Sequence, residues 1–513
     1  MRIITIDGKT LTHSDVTAVA MGKAQVVVCA DAVSRMQKSR DVVERIIRGD
    51  EAVYGINTGF GALVSERISN DDLEQLQINL VRSHACAIGE PMSIEATRAM
   101  MVCRANSLAV GNSGSTVQTV EQIINYLNNN VTPVVPRIGS LGASGDLAPL
   151  AHLALALIGE GRVWYNGNQI ETMDALMQCG LDRMRLGAKD GLSLINGTSQ
   201  MCGILSLVCH SLDHMMPMFD VLAGLSIEAK AASVKPFDAR IHEARPHAGQ
   251  SLVAKRMRQI MANSAIVISH ANCDKVQDPY SFRCIPQVHG PINEAHVNLS
   301  SILAIEINSA TDNPLVFTSE DSPGEVISQG NFHGEILAMA ADSISLALFE
   351  ICSMSERRMD QLLDKSRSGL PAFLAKNGGL ESGYMIVHYV AAAVLAQMHS
   401  GASPRTAYSV PTSAGQEDHV SMGATSAMNA QKMVELCSQV MACEALISTE
   451  GLEYAIADPA PFVASLARLV RSISPSLTSD RSTSDELNNL SRKFADGSWL
   501  AMIEAENSRL NRL

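Results

Sequence analysis

The run Gly139-Ser-Leu-Gly142-Ala143-Ser144-Gly145-Asp146 sets one serine among small residues and ends on an acid. An Ala-Ser-Gly tripeptide can close on itself. When the backbone is bent tightly and side chains stay clear, the Gly145 amide nitrogen reaches the Ala143 carbonyl carbon. Loss of water, the Ser144 hydroxyl included, then leaves a five-membered ring with an exposed methylene, which is an electrophile. Three glycines at a spacing of three allow such a bend. A plainer reading stays open: a glycine-rich turn entering a helix, with Asp146 in the first turn, where the helix dipole favours a carboxylate.

Other catalytic patterns are missing. Gly139, Gly142 and Gly145 give G-x-x-G-x-x-G, which lacks the first spacing of a dinucleotide fingerprint. Gly142-Ala-Ser144-Gly145-Asp146 lacks the second glycine of a G-x-S-x-G nucleophile elbow. There is no Walker A sequence and no H-E-x-x-H. His210 and His214 are four apart, a metal-ligand spacing, but no third ligand pattern accompanies them. No metal or nucleotide is expected.

The elements that would hold this loop are mostly helical. Thr132 to Gly145, with Pro133 and Pro136, reads as a turn-dense connection between helical segments. Ile3-Ile4-Thr5-Ile6 followed by Asp7-Gly8 suits a small terminal hairpin. The segment from Asp71 reads as a helix capped by Ser69 or Asn70. Glu335 to Ser368 and Ala424 to Glu450 contain neither Gly nor Pro and carry many apolar residues all round. Helices of that length reach ~40 Å and must be enclosed by other helices.

Composition agrees. Aromatics make up 4% of the chain while there are 25 Met, so the core leans towards packed helices. A formal net charge of -13 without Lys/Arg runs argues against a nucleic-acid partner. The 11 cysteines are scattered, odd in number and free of C-x-x-C, as in a cytoplasmic protein with reduced thiols. The first residues lack the apolar core of a secretory signal. Gly191 to Leu212 and Gly383 to Pro404 are uncharged, but Asn196 and Gln200 in one and His388, Gln397 and His399 in the other favour buried helices over a bilayer.

Six blocks decide between the two readings of the Ala-Ser-Gly loop. They are Tyr54-Gly-Ile-Asn57-Thr-Gly59-Phe60-Gly61, Gly139 to His152, Gly191 to Thr198, Gln277-Asp-Pro-Tyr280-Ser-Phe-Arg283, Asn308 to Pro314, and Gly330-Asn331-Phe332-His333-Gly334. In this order they resemble the aromatic amino acid ammonia-lyase and aminomutase family. The prosthetic group of that family is 4-methylidene-imidazol-5-one (MIO), formed from its own backbone. The resemblance implies that MIO forms from Ala143, Ser144 and Gly145. It also implies that ammonia is eliminated from an aromatic amino acid.

By the same resemblance Tyr54 is the base for the β-proton and Tyr280 an active-site wall residue with a part in catalysis. Arg283 anchors the substrate carboxylate, Asn196 hydrogen-bonds ring or substrate, and Gln277 and Phe332 line the site. His84, in Ser83-His84, and Met385 resemble the pocket wall of the histidine-specific members. So does Glu417, within Gln416-Glu417-Asp418-His419, which could pair with a basic substrate; its plainer reading is a helix-start carboxylate. Histidine is therefore the favoured substrate, giving urocanate. The alternatives are a tyrosine lyase, an amino acid 2,3-aminomutase, or an inactive helical scaffold. Ala87, where most relatives carry glycine, and Gly415, where many carry asparagine, depart from the pattern.

The implied fold is mainly α, with long helices in a central bundle and a smaller mixed N-terminal active-site domain. Residues 1–200 are expected to carry the loop, and residues 201–513 the bundle and C-terminal helices. The implied assembly is a homotetramer with shared active sites.

Overall fold

The computed structural model describes residues 2–49, 53, 55–58, 68–69, 72–270, 276–319 and 322–508. Among these, 21 α-helices dominate and the longest strand has 6 residues, so the fold is mainly α. The chain forms two compact units. The first gathers Met1–His210, Leu299–Asp342 and Pro404–Met428; the second gathers Ser211–Asn298, Ser343–Ser403 and Asn429–Leu513.

Every sheet among the described residues lies in the first unit. The opening strand Arg2–Ile6 runs parallel to Ala24–Val28, with Arg2 opposite Ala24. A parallel pair needs a crossover, and the helix His13–Ala20 supplies it, started by a capping box between Thr12 and Asp15. The expected terminal hairpin is therefore a small β-α-β unit. The turn at Asp7-Gly8 is real, with the Asp7 carboxylate accepting from the Lys9 and Thr10 amides at 2.8 and 2.9 Å, but it leads into a helix.

The helix Ile94–Ala109 is buried on all sides from Ala96 to Ala109, although it carries Arg98 and Arg104. Backbone carbonyls receive the first: Arg98 donates to Val19 O at 3.0 Å and Leu127 O at 3.2 Å, while burial pulls its pKa down. The helix Ser199–Lys230 meets Ile94–Ala109 backbone to backbone. A Cβ on Gly203 would stand 2.5 Å from the Met100 nitrogen.

The turn-dense stretch 132–145 holds two short strands. Pro136–Ile138 pairs with Ile88–Pro91, and Thr132–Pro133 pairs with Arg162–Tyr165. Both ends of the stretch leading to the loop are thus fixed. The segment after residue 71 is the helix Leu73–His84; its N-cap is Asp72, whose carboxylate accepts from Ser69 Oγ at 2.6 Å. Asn70 lies outside the described residues.

The two breaker-free runs form the helices Glu335–Leu363 and Gly423–Leu452. In the second unit, Arg358 and Glu444 are fully buried and paired at 2.5 Å, and Ser226 donates to the same carboxylate at 2.6 Å. Glu335–Leu363 is the helix among the described residues that is long and apolar enough to cross a membrane, and 56% of its most apolar window is buried in the fold. A buried Arg358 with its own counter-ion suits a protein interior. Of the two stretches questioned from sequence, Gly191 to Leu212 breaks after Ile195 into the helices Asp190–Ile195 and Ser199–Lys230, and the other holds the helix Met385–Gly401 of 17 residues.

Candidate active site

The loop 139–146 is locked from several sides of the first unit. Gly142 (φ 68) and Gly145 (φ 71) are left-handed, where an L side chain is strained. A Cβ on Gly145 would lie 2.2 Å from Gly197 O, and one on Gly142 would lie 2.3 Å from Ser421 Oγ. Only glycine fits either position. Asp146 N donates to Gly197 O at 2.8 Å, Gly334 N to Gly142 O at 3.0 Å, and Met422 N to Leu141 O at 2.8 Å.

Asp146 precedes the helix Leu147–Leu157 but makes no side-chain cap to it. Its carboxylate serves a different helix. Oδ2 accepts from Gln200 N and Met201 N at 2.9 and 3.1 Å, at the start of Ser199–Lys230, and Oδ1 accepts from Ser140 Oγ at 2.9 Å. The local helix-start reading of Asp146 is corrected by this long-range contact. Burial lifts its pKa to about 6 against the opposing pull of these hydrogen bonds and of Arg104.

Ser144 is half-buried with both of its oxygens engaged. Asn196 Nδ2 donates to Ser144 O at 2.7 Å, and Ser144 Oγ donates to Glu417 Oε1 at 2.7 Å. The other Glu417 oxygen accepts from Thr412 Oγ1 at 2.8 Å. Glu417 is therefore no helix-start carboxylate; the following helix begins at Gly423. Asn196 is itself held: its Oδ1 accepts from Asn313 N at 2.6 Å, and its carbonyl accepts from Arg104 Nη1 at 2.5 Å.

The structure thus brings together Ala143, Ser144, Gly145, Asn196 and Glu417, with Phe332 half-buried in the segment tied to the loop through Gly334. His84 ends its helix with Nδ1 on Leu80 O at 2.8 Å. Its segment reaches the loop through Ala87, whose Cβ would stand 2.8 Å from a Cβ on Gly139. Tyr54 lies outside the described residues.

Gln277, Tyr280, Arg283 and Met385 belong to the second unit. There the Arg283 guanidinium sits 4.9 Å from the Tyr280 ring centroid, and Tyr280 is 71% exposed. Gln277 and Arg283 line a cavity of about 670 Å³ with Lys235, Asp278 and Gln287. Met385 opens the helix Met385–Gly401. His333, Glu335 and His419, in the first unit, offer ligand atoms within 4.8 Å of one another.

Sequence reading passed over Arg104 and Thr412. Arg104 carried a signal, the one charge within the Met100 to Ala109 run. Thr412 carried none, because its partner Glu417 meets it through an irregular turn.

The geometry fits a self-formed ring: a small-residue tripeptide, a glycine that nothing larger can replace, a donor on the Ser144 carbonyl and a carboxylate on its hydroxyl. Residues 11–472 match the family described as aromatic amino acid lyase. A histidine ammonia-lyase of Myxococcus xanthus (strain DK1622) is 43% identical over 503 residues, covering 98% of each chain. The crystal structure of histidine ammonia-lyase from Trypanosoma cruzi superposes with a TM-score of 0.91 at 37% identity, over 99% of this chain and 96% of that one. A tyrosine aminomutase from Streptomyces globisporus gives 0.92 at 34% identity, over 98% of both chains.

Proposed function

The chain belongs to the aromatic amino acid lyase family, and on that premise we propose that it eliminates ammonia from L-histidine to give urocanate, using an MIO ring made from Ala143, Ser144 and Gly145. The observation that carries the reading is the seat of Ser144, held between Asn196 Nδ2 and the Glu417 carboxylate at 2.7 Å each. When formed, the ring supplies an electrophile that captures the substrate. Capture alone is insufficient, because the β-proton is barely acidic and needs a positioned base.

Tyr54 takes that role on the family resemblance; as a phenol with an ordinary pKa near ~10 it must be activated to do so. Arg283 binds the substrate carboxylate through its planar, permanently charged fork. Asn196 holds the Ser144 carbonyl. Glu417 faces a basic substrate, with His84, Gln277, Tyr280, Phe332 and Met385 as the remaining site residues. We place the active-site domain on residues 1–200, completed by Leu299–Asp342 and Pro404–Met428, which gather with them, and the helical bundle on the rest of 201–513. The enzyme works as a homotetramer with shared sites; the exposed Tyr280, stacked on Arg283, supports a surface completed by another subunit. The cysteines, none of them in a disulfide among the described residues, support a cytoplasmic location.

Separate incubations with L-histidine, L-tyrosine and L-phenylalanine, followed by product absorbance and free ammonia, test the reading. Histidine is expected to react fastest, with one ammonia per product. A β-amino acid without free ammonia would favour the second reading, an aminomutase, for which the 34% identity to the tyrosine aminomutase speaks. No reaction with any of the three would favour the scaffold.

A further inference from the structure

The contact between Ser144 Oγ and Glu417 has a property that none of the other loop contacts shares: it uses an atom that the ring lacks. Asn196, Gly197, Gly334 and Met422 all hold backbone groups of the loop. Glu417 alone, among the described residues, is hydrogen-bonded to the hydroxyl that leaves, at 2.7 Å. Thr412 Oγ1, at 2.8 Å on the second carboxylate oxygen, and the paired backbone of Thr412 and Glu417 fix where that carboxylate stands.

From this we infer that Glu417 has a second task, performed once per protein lifetime, as the proton shuttle for the dehydration of Ser144. The inference rests on the ring-forming reading above. Two waters leave in total. In the ring closure, the Gly145 nitrogen bonds to the Ala143 carbonyl carbon. The carbonyl oxygen departs as water with the Gly145 and Ser144 amide protons, and a carbon–nitrogen double bond remains. In the second loss, the Ser144 Cα proton passes to the Glu417 carboxylate and on to Oγ. The Cβ–Oγ bond breaks, water leaves, and the Cα–Cβ double bond forms.

The carboxylate is regenerated and no oxidant or reductant is consumed. A hydroxyl is a poor leaving group unless it is protonated, so a proton carrier within hydrogen-bond reach is what this step needs. Completion removes the hydroxyl and releases Glu417 from its contact. The same carboxylate is then free to meet substrate.

The test follows maturation and not turnover. Parent, Glu417→Gln and Thr412→Val chains are expressed in parallel, sampled at intervals after induction, and the peptide spanning residues 143–145 is weighed. Circular dichroism reports folding. Glutamine keeps the shape and a hydrogen-bond acceptor for Oγ but cannot carry the proton. The parent is expected to lose two waters. Folded Glu417→Gln is expected to form the double bond at least tenfold more slowly, and Thr412→Val to lag the parent.

Loss of both waters from folded Glu417→Gln on the parent's time course would overturn the inference. Were Glu417→Gln unfolded, Thr412→Val decides: a lag supports the shuttle and the parent's rate overturns it. A parent that loses no water would instead remove the ring-forming reading beneath it, so the two failures are distinguishable.

Discussion

Asp146 shows how much a single residue beside the Ala-Ser-Gly loop can hide. Its neighbours in sequence suggest a local cap, yet its carboxylate reaches the Gln200 and Met201 amides, more than fifty positions away. Fully buried, it has a pKa of about 6 in the folded chain, above its ordinary value of 3.8. The folded state therefore holds a proton over the window from about 4 to 6 that the unfolded state has released. Stability is greatest below the window and falls as pH rises through it, by about 3 kcal/mol at most.

Asp146→Asn removes this titration. The unfolding free energy of the variant relative to the parent is expected to rise in the variant's favour between pH 4 and pH 7, read from urea midpoints. A constant difference would refute the burial argument. For the base, Tyr54→Phe should cut turnover by at least a hundredfold while the two-water mass loss persists. An unchanged rate would remove Tyr54 from that role. The Ala143-Ser144-Gly145 loop could be singled out because its signal is local; the Glu417 contact could not, because 273 positions separate it from Ser144.

At the level of elements, two backbone-to-backbone contacts carry the site. Gly145→Ala would force a Cβ to 2.2 Å from Gly197 O at a left-handed φ, and neither neighbour is a flexible side chain. The variant is expected to lose the ring and at least ~2 kcal/mol of stability, measured by peptide mass and urea denaturation. Gly203→Ala, which would push Met100 and the Ile94–Ala109 helix away, should destabilise by a similar ~2 kcal/mol. Because it acts through the helix that carries Arg104, and Arg104 holds the Asn196 carbonyl, its turnover should fall as well.

Long helices were readable from the absence of Gly and Pro, and the Glu335–Leu363 and Gly423–Leu452 helices follow those runs within a few residues. The opening strand was readable too, but its partner was not. Two apolar runs pair as a hairpin or through a crossover depending on what lies between them, and the Thr12/Asp15 capping box settles that here.

At the scale of the molecule, a chain of 54.9 kDa is proposed to work only as an assembly. Light scattering should give four times the chain mass, and dilution that splits the assembly should abolish turnover with the ring still present in the peptide. Full activity in a monomer would contradict shared sites. Family and mainly helical fold were both legible in ordered sequence blocks. The discontinuous gathering of Leu299–Asp342 and Pro404–Met428 with the first 210 residues was not, since no local pattern announces which distant loops return to one core.

Ser144 is proposed to become part of an electrophile that expels ammonia from histidine. The most direct test is the release of ammonia and urocanate from L-histidine by the parent and by Ser144→Ala. Equal amounts of both products are expected from the parent, with turnover falling by at least a thousandfold in the folded variant. Near-parental release by Ser144→Ala would contradict that role.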